Sequence, residues 1–469
     1  MHERNYIKRG FGILALATAM VLVMSGLTKL RKDTPFFAAH HHEPTLAADS
    51  LMQQDTMAKV SDTLTHEKPL TPKAATVEKQ YPTGKSYVGL HHLNRFFEAL
   101  HQARNGRKVR IGYFGDSMIE GDLVTESLRH DLQEEFGGQG VGFVPIACAS
   151  PGFRKTIRHS YSEGWKYHTI LVPNPTKFNY SIAGNFAYLP RKGKRTRESW
   201  VKYKGTSLYE TTSRFPQVKL YYGQYASSSK RRAKNWVAVS TDKGADTLKL
   251  DSRSVVNTIT LSRSNIEELE LNFRIDDRLP VYGLSIEGGP GVYVDNFAVR
   301  GNSGLGILNI AGPVWKEFDK HMHYDLVVLH YGLNVIDTQR KSYKGYEKHF
   351  KKVIAYVKEQ LPNADILVVS VSDKSTMING KMQTDPAVPK IVAAQRRAAE
   401  EMEVAFLDLY RGMGGRNTMV KWVEKKLATK DYTHVNRRGA KIVSNIVKKY
   451  LMTQYYAWER ESKQLASQQ

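Results

Sequence analysis

Cysteine is almost absent from this chain: Cys148 is the only one in 469 residues. One thiol excludes an intrachain disulfide framework and any zinc cluster built on several thiolates, and it leaves the redox compartment open. Its expected part is that of a small buried apolar residue. Acidic side chains are the minority, 46 Asp and Glu against 69 Lys and Arg, for a formal charge of +23. The surplus points to an acidic partner, whether nucleic acid, anionic lipid headgroups or an acidic surface polymer, and charge alone does not choose among them. No internal repeat stands out. A phosphate loop is missing as well. The stretch Phe136-Gly-Gly-Gln-Gly-Val-Gly-Phe143 has no Gly-Lys-Ser/Thr ending and no helix behind it, so its glycines read as structural.

Long apolar runs are confined to Phe11–Leu27, which follows Arg4, Lys8 and Arg9. Residues 1–30 therefore read as a signal peptide or membrane anchor and the protein as exported. No small-x-small cleavage site follows, which favours an uncleaved anchor. Residues 31–85, rich in Thr, Ala, Lys, Asp and Pro, read as a flexible linker. The His40-His-His-Glu43 cluster within it is at most a weak metal site. No metal or cofactor is expected elsewhere.

Folded sequence begins near Ser86. Between about Ser150 and Pro290 the pattern is short alternating runs, such as Val218–Gln224, Trp236–Ser240, Thr258–Ser262 and Leu269–Arg274, which predict an all-β sandwich. Basic clusters decorate it: Arg191, Lys192, Lys194, Arg195 and Arg197, then Lys230, Arg231, Arg232 and Lys234. With Trp165, Tyr167, Trp200 and Tyr203 they could form a surface where rings stack on sugars and cations meet acids. Nucleic acid would use the same ingredients, but an exported protein rarely meets it. Outside this stretch, strand and helix patterns alternate. Val109–Phe114, Leu326–Leu329, Ile366–Val371 and Phe406–Leu409 read as strands. His91–Ala103, Leu123–Phe136, Tyr346–Gln360, Pro389–Met402 and Arg438–Lys463 read as helices.

The first strand ends at Gly115-Asp116-Ser117, before a helical pattern. A serine there faces both an open cleft and helix N-terminal N–H groups, the setting of a nucleophile, although Gly-Asp-Ser is also ordinary turn chemistry. Three later segments bear on it. Asp431 precedes His434 by three residues and could accept its Nδ1–H while Nε2 faces a serine, or it could merely cap a helix. Asn334, just after the Leu326 strand, could offer its amide to an oxyanion or simply occupy a turn. The N–H near Gly304, in Val299-Arg-Gly-Asn-Ser-Gly-Leu-Gly306, could be a second donor, or the glycine could merely permit its turn.

Serine, glycine, asparagine and histidine in that chain order, with Asp431 just ahead of the histidine, resemble the SGNH (GDSL-type) hydrolases. The resemblance implies a flavodoxin-like three-layer α/β/α domain and ester hydrolysis. Ser117 would be the nucleophile, His434 the base and Asp431 its orienter, with the Ser117 N–H, Gly304 and Asn334 as the oxyanion hole. Val335 stands where many members carry Asp, and Met118 where leucine is common. The α/β-hydrolase elbow Gly-x-Ser-x-Gly is absent, because Ile119 occupies the second glycine's place. An inserted all-β sandwich between the serine and glycine blocks is similar to two-domain bacterial peptidoglycan O-acetylesterases, whose insert resembles a carbohydrate-binding module. The implied layout places hydrolase segments at 86–150 and 291–455, the insert at 151–290 and a tail at 456–469. The implied function is removal of O-acetyl groups from a cell-wall or surface polysaccharide, most of all peptidoglycan, in the periplasm or cell envelope. Its partners would be that acetylated glycan and, through the N-terminal segment, the membrane, with no nucleic acid. An O-acetyltransferase with the same triad and a non-catalytic glycan-binding protein are the alternatives.

Overall fold

A computed structural model describes residues 87–88, 90–190, 197–225, 235–275 and 278–467. The expected export segment and linker, His40–Glu43 and nearly all of the two basic clusters lie outside the described residues. Among the described residues no helix is long and apolar enough to cross a membrane.

The chain opens with β1 (Tyr87–Val88), α1 (Asn94–Ala103), β2 (Lys108–Gly115), α2 (Thr125–Phe136) and β3 (Gly142–Pro145). Ten strands follow: β4 (Ile157–Tyr161), β5 (Lys166–Thr169), β6 (Asn185–Tyr188), β7 (Arg197–Gly205), β8 (Val218–Gly223), β9 (Trp236–Thr241), β10 (Gly244–Lys249), β11 (Val256–Ser262), β12 (Glu268–Ile275) and β13 (Val281–Ile286). Alternation then resumes with β14 (Gly291–Ala298), α3 (Gly312–Met322), β15 (Leu326–His330), α4 (Lys344–Gln360) and β16 (Asp365–Val369). A hairpin, β17 (Ser375–Ile378) and β18 (Lys381–Thr384), precedes α5 (Ala387–Glu401) and β19 (Ala405–Leu407). Last come α6 (Leu409–Met413), α7 (Thr418–Glu424) and α8 (Arg437–Ala466).

One sheet runs in the order β1-β19-β16-β15-β2-β14 and is parallel apart from the short β1. Strands β15 and β16 are buried at every position. Burial on both faces requires cover on both. Two helix groups supply it: α1 and α2 pack on α8, while α3 and α5 pack on α4. The α8 helix spans 30 residues and turns Val443, Val447, Tyr450 and Leu451 inward, which leaves its lysines and arginines for the solvent face.

The ten strands form a sandwich. One sheet is β10-β9-β12-β7-β4, and the other is β11-β8-β13-β6-β5, with β3 also paired to β13. Gly142–Pro145, expected with the first hydrolase segment, thus belongs to a sandwich sheet. The glycines before it are positional: a Cβ on Gly140 would fall 2.3 Å from the Ile286 carbonyl oxygen. Of the rings expected at the surface, Trp165 and Tyr203 are buried in the sandwich core. Trp165 stands edge-on to Phe273 and donates Nε1–H to the Trp200 carbonyl (3.3 Å), while the Tyr203 hydroxyl donates to Pro145 (2.8 Å). Each ring satisfies its polar atom inside, so burial gains its full area.

The sandwich is fixed to the parallel sheet by aromatic and ionic contacts. Phe318 of α3 stacks on Tyr221 of β8 with centroids 5.5 Å apart, and Phe143 of β3 meets Phe297 of β14 edge-on. Beneath them Arg110 of β2, buried, bridges Asp295 of β14 and Glu287 of the β13–β14 connection. Asp295 in turn accepts the Phe143 N–H at 2.8 Å. The insert's orientation is therefore set by a buried junction of packed rings and paired charges.

Candidate active site

Strand β2 ends at Gly115, whose conformation is not left-handed. Room decides the residue: a Cβ there would lie 2.8 Å from Ile119 Cγ1 and 3.1 Å from the His330 carbonyl oxygen. The chain then makes a 3-10 turn over Ser117–Asp122 that kinks at Glu120 and Gly121, and the α-helix expected from Leu123 starts at Thr125. Asp116 caps the turn by accepting the Met118 N–H at 2.9 Å. At its far end Asp122 is clamped by Arg129 (2.7 and 2.8 Å), with both side chains fully buried. Burial would raise the Asp122 carboxyl, but the Arg129 and Arg154 charges overcome it and hold it well below the usual carboxylate range. The serine turn is thus anchored at both ends.

Ser117 Oγ lies 2.8 Å from Nε2 of His434, and Nδ1 of His434 lies 2.6 Å from Oδ2 of Asp431. With the Nδ1–H donated to the carboxylate, Nε2 is the atom free to accept the serine proton. The other carboxylate oxygen accepts from the Thr429 hydroxyl (2.6 Å) and from the N–H groups of Thr433 (2.9 Å) and His434 (3.1 Å). Partial burial would raise the Asp431 carboxyl, and these bonds together with the one from His434 outweigh it and hold it low. Tyr432, inside this tight turn, takes the left-handed backbone (φ 54°), and its carbonyl accepts the Ser375 N–H of the β17–β18 hairpin. Capping of the following helix falls to Asn436, whose side chain accepts from Arg438 and Gly439, so Asp431 is released from that alternative.

The Gly304 N–H donates to Oδ1 of Asn302 at 2.9 Å, and the same oxygen takes the Gly306 N–H at 3.2 Å. Gly304 sits at φ 95°, where a side chain is strained, and its added Cβ would press on the Tyr331 ring. The Asn334 amide, exposed at the end of β15, donates to Oδ2 of Asp116 (3.2 Å) and to the Asn302 carbonyl (3.1 Å). Burial pushes the Asp116 carboxyl up to about 6, against the Met118 N–H, the His434 charge and bonds from Leu333 and Asn334. Both sequence-predicted donors therefore meet at Asn302, and one of them also meets Asp116. Asn302 was not singled out from the sequence, although Asn two residues before a glycine is a turn signal that could have found it. Thr429 carried no signal. His330, beside the asparagine block, is a core residue: burial pushes it down to about 3, and its Nδ1 lies 3.1 Å from the Tyr113 hydroxyl. Among the described residues no three His, Cys, Asp or Glu side chains are grouped to hold a metal ion.

No protein-family model and no curated protein matches the sequence. Solved structures do. A peptidoglycan O-acetylesterase structure superposes with a TM-score of 0.59 at 20% identity, over 77% of this chain and 96% of that one. Slighter likenesses include an acetylxylan esterase from Geobacillus stearothermophilus (TM-score 0.27, 15% identity, 35% and 73% covered). Another is a family two carbohydrate esterase from Cellvibrio japonicus (TM-score 0.25, 8% identity, 64% and 99% covered). The extent of the first superposition takes in both the parallel sheet and the sandwich. The chain has the SGNH hydrolase fold, an α/β domain carrying an inserted all-β domain.

Proposed function

We propose that the protein is a serine esterase that removes O-acetyl groups from a cell-envelope polysaccharide, with peptidoglycan the foremost substrate. The observation that carries this reading is the Ser117–His434–Asp431 relay, with contacts of 2.8 and 2.6 Å. His434 Nε2 takes the Ser117 proton as Oγ attacks the acetyl carbonyl, and Asp431 holds the imidazolium that forms. Nε2 then returns the proton to the sugar oxygen as the C–O bond breaks. Water, deprotonated by the same nitrogen, releases acetate.

The oxyanion is held by the Ser117 and Gly304 N–H groups and the Asn334 amide. Gly304 and Asn334 now donate to Asn302 and Asp116. A full negative charge outcompetes the neutral Asn302 oxygens, because charge-assisted bonds are roughly twice as strong as neutral ones, while Asp116 keeps the other N–H of the Asn334 amide. The similarity of 77% of the chain to a peptidoglycan O-acetylesterase structure supports the choice of substrate. An N-terminal anchor within residues 1–30 and a place in the periplasm or cell envelope go with it.

The test is acetate release from O-acetylated peptidoglycan and from acetylated xylan by the wild type and by Ser117→Ala. Release by the wild type alone, greater on peptidoglycan, is the expected result. Greater release from xylan would overturn the substrate.

A further inference from the structure

A cleft of about 390 Å³ separates the sandwich from the C-terminal end of β14, and it falls outside the relay just described. Its position ties it to Ser117. Glu120 and Gly121, on one wall, belong to the 3-10 turn that starts at the serine, and Arg300, on the same side, follows the end of β14, the strand paired with β2. The opposite wall comes from the insert, through Tyr167, Val172 and Asn185. The cleft thus opens at the sheet edge that carries the nucleophile.

The rim is apolar where a surface is ordinarily polar. Tyr167 and Val172, which line the cleft, are 39% and 47% exposed, and Leu171 beside them is 41% exposed. That loop is held in place: the Ile170 carbonyl accepts from Asn309 Nδ2 at 3.2 Å, and the Tyr180 hydroxyl donates to Val172 at 3.3 Å. Clustered exposed apolar side chains on a fixed loop mark a contact surface. Polar groups face them across the cleft. Glu120 is held by Arg300 (2.7 Å) and by the Ser150 hydroxyl (2.9 Å), so its carboxylate is oriented before any ligand arrives.

One aromatic face, an apolar patch and a few oriented polar groups suit a pyranose ring, whose C–H face packs on the aromatic while its hydroxyls bond to carboxylate and amide. The volume is at the small end of the roughly 300–1,000 Å³ span of ligand pockets, so it takes one or two sugar units and not a longer strand. We infer that this cleft is a glycan subsite, in which Tyr167 stacks on the sugar next to the one whose ester reaches Ser117. The inference rests on the esterase reading for its substrate, but its test does not need turnover.

Soluble glycan strands released from peptidoglycan are titrated calorimetrically into Ser117→Ala, and into the same protein carrying Tyr167→Ala or Tyr167→Phe. The subsite predicts binding about tenfold weaker with Tyr167→Ala and restored by Tyr167→Phe, in keeping with the loss of one aromatic contact. In the active protein, Tyr167→Ala should lower the ratio of kcat/KM on strands to kcat/KM on p-nitrophenyl acetate by a similar factor, through KM. Unaltered strand affinity in Tyr167→Ala overturns the subsite whatever the turnover. Tyrosine-dependent binding without acetate release from any ester would keep the subsite and remove the esterase reading.

Discussion

The carboxylate of Asp116 accepts a hydrogen bond from the amide of Asn334 at 3.2 Å, so the residue before Ser117 and the loop after β15 act as one unit. Replacing Asp116 by Asn puts an amide where Asn334 needs an acceptor. Turnover should fall by about tenfold or more as Asn334 loses its orientation. Stability reports the burial of the same carboxylate. Burial raises the folded Asp116 to about 6, so it holds its proton more tightly folded than unfolded. Its contribution is full below the unfolded carboxylate value, about 3.9, and is lost as pH rises toward 6. The loss is on the order of 3 kcal/mol. Urea unfolding of Asp116→Asn should therefore gain about that much on the wild type between about pH 4 and pH 7. A difference that does not vary with pH would show that Asp116 titrates normally.

Asn302 organises the glycine turn. With Asn302→Ala the buried N–H groups of Gly304 and Gly306 lose their acceptor, at about 1–3 kcal/mol each if left unsatisfied. Asn302→Asp keeps an acceptor oxygen. Turnover should drop in the alanine variant and return in large part in the aspartate variant, as steady-state kinetics on a soluble acetyl ester would reveal.

Arg110 bridges the parallel sheet and the insert. Arg110→Ala leaves Asp295 and Glu287 buried without their cation, and breaking a buried pair by removing one partner costs about 3–5 kcal/mol. Calorimetry should find a lower Tm. A Tm equal to the wild type's would mean that the junction is not what holds the insert.

Asp431→Asn would present an amide to His434 and favour the tautomer with Nε2 protonated, which cannot accept from Ser117. The expected loss is in kcat, up to about 10⁴-fold, with the fold retained. In the wild type the Asp431 carboxylate is held low by its hydrogen bonds. Its share of stability is thus present above the ordinary carboxylate value and disappears only as pH falls through the depressed one.

Much of this was legible in the sequence because buried parallel strands advertise themselves. Leu326–Leu329 and Ile366–Val369 are runs of branched residues that only a covered sheet can use, and both are central strands. The alternating insert strands were legible for the complementary reason, since one face of each meets the core and the other meets water. Gly115 was legible as the end of the first strand, but not why it must be glycine: Ile119 leaves no space for a Cβ there. Trp165 and Tyr203 misled because an aromatic with a polar atom suits a surface or a core equally until its hydrogen-bond partner is known. The ties from Asn302 to Asn334 and from Thr429 to Asp431 depend on how loops fold back on each other. Hydrophobic periodicity carries no trace of such contacts.

On the proposed mechanism Ser117, activated by His434, forms an acetyl-enzyme. Mass spectrometry of the protein quenched during turnover of O-acetylated peptidoglycan tests it most directly. A single added acetyl group is expected on the peptide containing Ser117, present in His434→Ala only in trace and absent in Ser117→Ala. Steady acetate release by Ser117→Ala at the wild-type rate, with no acetylated peptide in either protein, would contradict it.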